Sequence, residues 1–229
     1  MHQMFSYFGS KKRIAKYYPI PHNKVIIEPF AGAAGYSVYH EPDKAILFDI
    51  DKNIVKCWEF IIMSGRNNGD PIRDLPLIKY GEKVPDIEGK ELIGFWCRRG
   101  SDSPRNTLGS WAIKYPNRFW GEYQRDRLAN DSKKCANWEI HLSDFSLSDS
   151  IYGTWFIDPP YFHAGKHYKH PFSDYEKLAE FSKRQKNQVI VCEEMRNNEM
   201  PLWMEFNILA ANHLTINKRK AQEVIWTNI

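Results

Sequence analysis

Two adjacent prolines, Pro159 and Pro160, follow directly on the apolar run 154–158 (TWFID). Neither can donate a hydrogen bond to a sheet ladder, so a buried strand has to stop at Asp158 and leave that carboxylate at its carboxyl edge. Two earlier runs have the same character: 24–30 (KVIIEPF) ends in a Pro-Phe-Ala-Gly turn, and 45–50 (AILFDI) has the acid Asp49 next to its end. Continuous β-branched and apolar stretches of this length fit strands covered on both faces. A short helix over 34–39 fits between the first two, which gives one βαβ unit. A fourth strand is expected at 188–192 (QVIVC), preceded by a helix over about 174–184. Ser173 and Glu176 have the S-x-x-E spacing of a capping box for that helix, and Tyr175, Leu178, Ala179 and Phe181 supply its apolar side. Residues 205–209 and 223–227 read as a closing antiparallel hairpin. Strands alternating with helices predict an α/β domain with a mostly parallel sheet.

Between Ser64 and Asn137 that rhythm disappears, so residues 64–137 are expected to be an insertion into a domain made of 1–63 and 138–229. Over 93–134 there are nine Lys or Arg against four Asp or Glu, which concentrates positive charge in the insertion although the whole chain carries only +4. A polyanionic partner suits such a stretch. No apolar run approaches the ~20 residues of a membrane span, and residues 1–12 lack the apolar core of a signal peptide. A cytoplasmic protein is expected. Cys57, Cys97, Cys135 and Cys192 are too widely spaced for a zinc site or a disulfide framework, so buried free thiols are expected.

Asp158-Pro159-Pro160-Tyr161 carries the sharpest chemical signal, because open α/β sheets place ligands at the carboxyl ends of their strands. An exocyclic amine on a purine is a poor nucleophile, its lone pair being delocalised into the ring. A carboxylate at Asp158 and the proline-fixed carbonyl of Pro159 would accept hydrogen bonds from its two N–H groups and favour the geometry in which the lone pair attacks. Tyr161 would stack on the base. Stacking on an aromatic ring is worth about 1–3 kcal/mol, comparable with the few kcal/mol needed to extrude a base from a duplex. The turn Glu28-Pro29-Phe30-Ala31-Gly32-Ala33-Ala34-Gly35 has small residues that admit a ligand but lacks G-x-G-x-x-G, so a cofactor without a pyrophosphate is expected. Asp49 stands where an acid accepts from ribose hydroxyls, with Asp51 as a rival.

The order Phe5-Ser-Tyr-Phe-Gly-Ser-Lys11, Glu28-Pro-Phe-Ala-Gly32, Phe48-Asp-Ile-Asp51, Asp144-Phe145 and Asp158-Pro-Pro-Tyr161 resembles the Dam-like, or D12 class, N6-adenine DNA methyltransferases. The resemblance runs from Tyr7 to about Cys192. Trp203 and Glu223-Val-Ile-Trp226 look like the bacteriophage variety. It implies a Rossmann-like S-adenosylmethionine-dependent methyltransferase fold, with a target-recognition insertion between the cofactor motifs and the catalytic tetrad Asp158, Pro159, Pro160 and Tyr161. It further implies that Tyr7 and Lys11 hold the methionine end of the cofactor and that Phe30, Ala31 and Gly32 cradle it beside Pro29. Asp49 and Ile50 would meet the ribose, Asp144 and Phe145 the adenine, and Asp158 the reacting end. The sequence departs from the family pattern at Ala34, where a second glycine is usual, and at Ser10.

In the insertion, Arg98, Arg99, Arg105, Arg118, Arg125 and Arg127 are candidates for phosphate or guanine contacts, and Trp96, Trp111, Trp120 and Tyr123 for stacking or wedging, although core packing is the commoner use of tryptophan. Glu193 and Glu194, at the end of another strand, read as a surface pair, with the border of the base pocket as the alternative, and Lys218 to Lys220 as a solvated turn. The expected reaction is direct in-line methyl transfer to a flipped adenine in double-stranded DNA by a monomer or weak dimer, without metal. Adenine in RNA would suit the same tetrad. Cytosine N4 suits it less well. A nucleic-acid-binding module without catalysis is the reading from a different class.

Overall fold

The computed structural model describes residues 2–145, 151–162, 169–195, 208–214 and 220–228. Seven strands form one sheet: β1 (Val25–Glu28), β2 (Lys44–Asp49), β3 (Glu139–Leu142), β4 (Thr154–Ile157), β5 (Val189–Met195), β6 (Ile208–Leu214) and β7 (Lys220–Thr227). Their order is β3-β2-β1-β4-β5-β7-β6. The first five are mutually parallel, while β7 runs antiparallel between β5 and β6. The expected α/β sheet with an antiparallel pair at its C-terminal end is therefore present. The partner of β7 extends to Leu214, beyond the expected 209, and residues 205–207, Trp203, Lys218 and Arg219 lie outside the described residues. Strand β3 was not anticipated. It is a short edge strand whose sequence, EIHL, is only half apolar.

The helices are α1 (Gly35–His40), α2 (Lys52–Arg66), α3 (Asp70–Arg73), α4 (Lys90–Cys97), α5 (Trp111–Lys114), α6 (Glu122–Ser132) and α7 (Tyr175–Arg184). Alternating side chains of the parallel strands serve two faces, as the two-residue period of a strand requires. Ile27, Ile46, Phe48, Trp155, Ile157, Val189 and Val191 pack with Leu178 and Phe181 of α7. On the other face Ile26, Phe156, Ile190 and Cys192 meet Tyr18 and Tyr36. Leu47 joins Ile54 and Trp58 of α2 in the largest cluster. That cluster also holds Ile72, Leu92, Phe95, Trp96, Trp120 and Leu128, so the basic insertion shares one continuous core with α2 and the N-terminal segment.

Helix α7 corrects one expectation. Asp174, and not Ser173, stands at its N-cap, and no side chain caps it there. All four cysteines are buried and free, as expected. Among the described residues, no helix is long and apolar enough to cross a membrane.

Candidate active site

Strands β1 and β4 are neighbours at the centre of the sheet, and the chain leaves them in opposite directions: β1 leads to β2 on one side and β4 to β5 on the other. Open sheets form a crevice at such a switch point. Here Glu28 ends β1, Asp49 ends β2 and Asp158 follows β4, all on the carboxyl edge. They line a cleft of about 930 Å³ together with Tyr7, Lys11, Pro29, Phe30, Ala31, Gly32, Ile50, Asp144 and Phe145. All eleven residues proposed for the cofactor from sequence therefore meet in one place. Of the tetrad, Asp158 and Pro160 also line it, whereas Pro159 and Tyr161 do not.

Lys11 enters the cleft from the turn Lys11–Arg13, which packs tightly against the start of α1. Gly35 makes this possible: a Cβ there would lie 2.6 Å from the backbone nitrogen of Lys12 and 2.8 Å from that of Lys11. The preceding Ala34 has left-handed φ (44°), a conformation normally left to glycine. The displaced glycine of the motif thus serves packing at 35, while alanine bears the strained turn at 34. Gly35→Ala should destabilise the fold by about 1–3 kcal/mol through overpacking, seen as a lowered thermal midpoint, because rigid backbone has to move. Ala34→Gly should match or exceed the wild type. Equal midpoints for wild type and Gly35→Ala would contradict this account of the turn.

The Lys11 ammonium lies 2.7 Å from Asp158 Oδ1 and 3.8 Å from Glu223 Oε1, and 4.5 Å from the centre of the Tyr161 ring. Oδ1 is buried, with that ammonium as its nearest charge. Loss of hydration pushes the Asp158 pKa up to about 6; Lys11 opposes the shift and Glu223 adds to it. The carboxyl is therefore ionised at neutral pH but close to its titration. Glu223, on β7, accepts hydrogen bonds from the hydroxyls of Tyr161 (2.9 Å) and Tyr18. The Pro160 carbonyl accepts from the Tyr175 hydroxyl at 2.6 Å, which fixes the proline turn to α7.

At the other end of the cleft, Asp49 Oδ2 accepts from the Gly32 amide (2.9 Å) and Oδ1 from the Asp51 amide (2.8 Å). Burial raises its pKa to about 6 against those two bonds. Asp51, which also lines the cleft, caps α2 through the Asn53 amide and pairs with Lys169 at 3.0 Å. Phe30 stacks on Phe145 with ring centres 5.8 Å apart, and Phe172 meets both edge to face at 5.2 and 5.7 Å, so three aromatic rings close this end.

Several residues acquire a role that sequence reading did not give them. Glu193, expected on the surface, is fully buried and receives the Phe162 amide on both oxygens (3.3 and 3.0 Å), so it anchors the chain just past the tetrad. Glu28 is 2% exposed and accepts the Ser37 amide of α1 at 2.7 Å. Trp96 and Trp120 are core residues whose ring N–H groups donate to the carbonyls of Met4 and Pro76. Arg127 is also a correction: its guanidinium donates to Asp131, Gln124 and the Gln3 carbonyl and covers Trp96, so it is a strut between α6 and the N-terminus. Arg125 is half-buried against Asp126 and the Leu75 carbonyl. Arg98, Arg99, Arg105, Arg118, Trp111 and Tyr123 are exposed.

No family model matches the chain, and no curated protein matches it in sequence.

Proposed function

We propose that this chain is an S-adenosylmethionine-dependent methyltransferase acting on the N6 amine of adenine in DNA. One observation carries the reading: a single cleft at the switch point of the sheet gathers the ammonium of Lys11, the carboxylates of Asp49 and Asp158, and the rings of Phe30 and Phe145. The donor set fits the cofactor part by part. Lys11 would receive its carboxylate, Asp49 its ribose hydroxyls, and the three phenylalanines its adenine. A phosphate-bearing cofactor fits badly, because Glu28 already takes the Ser37 amide in the first turn of α1, where a phosphate would bind. When bound, S-adenosylmethionine supplies a methyl group on a sulfonium, which an amine can take directly.

The rest falls to side chains of this chain. Asp158 would accept a hydrogen bond from the target amine and orient its lone pair. Lys11 now holds the place where that amine would sit, between the carboxylate and the Tyr161 ring. It has to swing toward the cofactor carboxylate before Tyr161 can receive a base, so cofactor and DNA should bind synergistically.

The test is transfer of a labelled methyl group from the cofactor to adenine-containing duplex DNA, followed by digestion to nucleosides and mass analysis. Label in N6-methyladenine is the expected result, with calorimetry showing that the protein binds the cofactor alone. Absence of both would end the proposal, and cofactor binding with transfer only to RNA at equal salt would move it to the other nucleic acid.

A further inference from the structure

Sequence alone did not distinguish among the arginines and aromatics of the insertion, but their surroundings do. Arg98, Arg105 and Trp111 line an open depression of about 1090 Å³ whose other lining residues, among them Asn106, Thr107 and Ser110, include no acid. Trp111 is 62% exposed and lies nearly parallel to Tyr115, with ring centres 5.8 Å apart and planes 10° apart. Two cations flank the same platform: Arg118 lies 5.1 Å and Lys114 5.5 Å from the Tyr115 ring centre. Among the described residues, none of Arg98, Arg99, Arg105 and Arg118 pairs with a carboxylate, in contrast to Arg73, Arg125 and Arg127. Arg99 also faces Arg13 and Arg118, whose repulsion adds to partial burial in lowering its pKa. Uncompensated like charges oppose compaction, and an anion laid across them relieves that repulsion.

We propose that Arg98, Arg105 and Trp111, continued by Arg99, Arg13 and Arg118, form the seat of a nucleic-acid strand, with phosphates along the arginines and one base on Trp111. The assignment rests on the proposed reaction for its biological sense, but not for its geometry. An acidic peptide would satisfy the arginines and leave the paired rings without a planar partner. A base uses both, since stacking on such a ring is worth about 1–3 kcal/mol. The surface also adjoins the cleft. The Gly100 amide donates to Ser6 Oγ (2.9 Å) and the Phe8 amide to the Ser101 carbonyl (3.2 Å), and Tyr7 and Phe8 line the cleft itself. A strand seated here would pass the mouth of the Asp158 site.

The test uses the full chain and fluorescence anisotropy with a short labelled duplex and the matching single strand, from about 50 to 200 mM salt. The doubly substituted Arg98→Ala, Arg105→Ala protein should bind at least tenfold more weakly, with the slope of log affinity against log salt reduced by about 1.8. Trp111→Ala should weaken binding by roughly 5- to 150-fold with an unchanged slope, because it removes stacking and no charge. Lys24→Ala, on an 84% exposed side chain just before the amino end of β1, should bind like the wild type. If the wild type binds DNA and these arginine and tryptophan variants bind equally well, the seat is elsewhere and the proposed reaction is untouched. If the variants lose DNA binding but no protein ever transfers a methyl group, the seat stands and the reaction falls. Binding to anionic lipid vesicles in place of nucleic acid, lost in the same variants, would overturn the choice of partner.

Discussion

Replacing Asp158 by alanine should lower methyl transfer to DNA by on the order of 10²–10³, the loss seen when one preorganised polar group is removed from a reacting centre. Cofactor affinity should stay within a few-fold of the wild type. Lys11 loses its nearest counter-charge in this variant, but Glu223 Oε1 remains 3.8 Å away, so the ammonium is not stranded. Calorimetry with the cofactor separates the two effects, and near wild-type turnover would remove Asp158 from the mechanism. The same carboxyl predicts the pH profile. Its pKa is raised to about 6, so the ionised acceptor is present above that pH and is lost as pH falls through it. Turnover should therefore show an acid limb near pH 6. Asp49 is raised to a similar value, and its protonation should appear instead in the KM for the cofactor.

What was legible in the chain was what neighbouring residues dictate. The runs that became β1, β2, β4 and β5 are β-branched and apolar and end at prolines, small residues or acids, and these ends fall on one edge of the sheet because the strands are parallel. For the same reason motifs scattered from Tyr7 to Asp158 converge on one cleft. The losses came where partners are distant. Glu223 meets Tyr18 and Tyr161 only because β7 inserts beside β5, a pairing that local pattern does not encode. Glu193 looked like a surface acid because nothing nearby in sequence announces the Phe162 amide that it receives. Arg127 counted as one more charge in a basic stretch, although its neighbours on α6 and the N-terminal segment satisfy it. The S-x-x-E spacing at Ser173 failed because spacing does not fix the backbone that enters a helix. That entry is held by Phe172 among Phe30, Phe145 and Tyr175.

Glu28→Gln should make the protein more stable than the wild type at pH 8 and little different near pH 5. Burial pushes the Glu28 pKa up to about 8 against its bond from Ser37, whereas in the unfolded chain it titrates near 4.5. Between those values the folded state holds a proton that the unfolded state has lost. Stability from this group is therefore greatest at low pH and declines as pH rises, by about 1.4 kcal/mol per pH unit, levelling off above 8. Other groups bound the window in which this slope can be isolated. Asp49 and Asp158 have the same sign but finish near pH 6, and half-buried His40, lowered from 6.5, has the opposite sign and finishes as pH reaches its unfolded value of 6.5. Lys12, lowered to about 8, acts in the stabilising direction only above that value. Thermal melts from pH 6.5 to 8 should thus show a falling midpoint for the wild type and a flatter one for Glu28→Gln, whose amide oxygen still accepts from Ser37. Parallel curves would mean that Glu28 is ionised in the folded protein. The distinction bears on the site, since a neutral Glu28 leaves the charge of Lys11 to be shared only by Asp158 and Glu223, and a third carboxylate there would oppose entry of an anionic cofactor end.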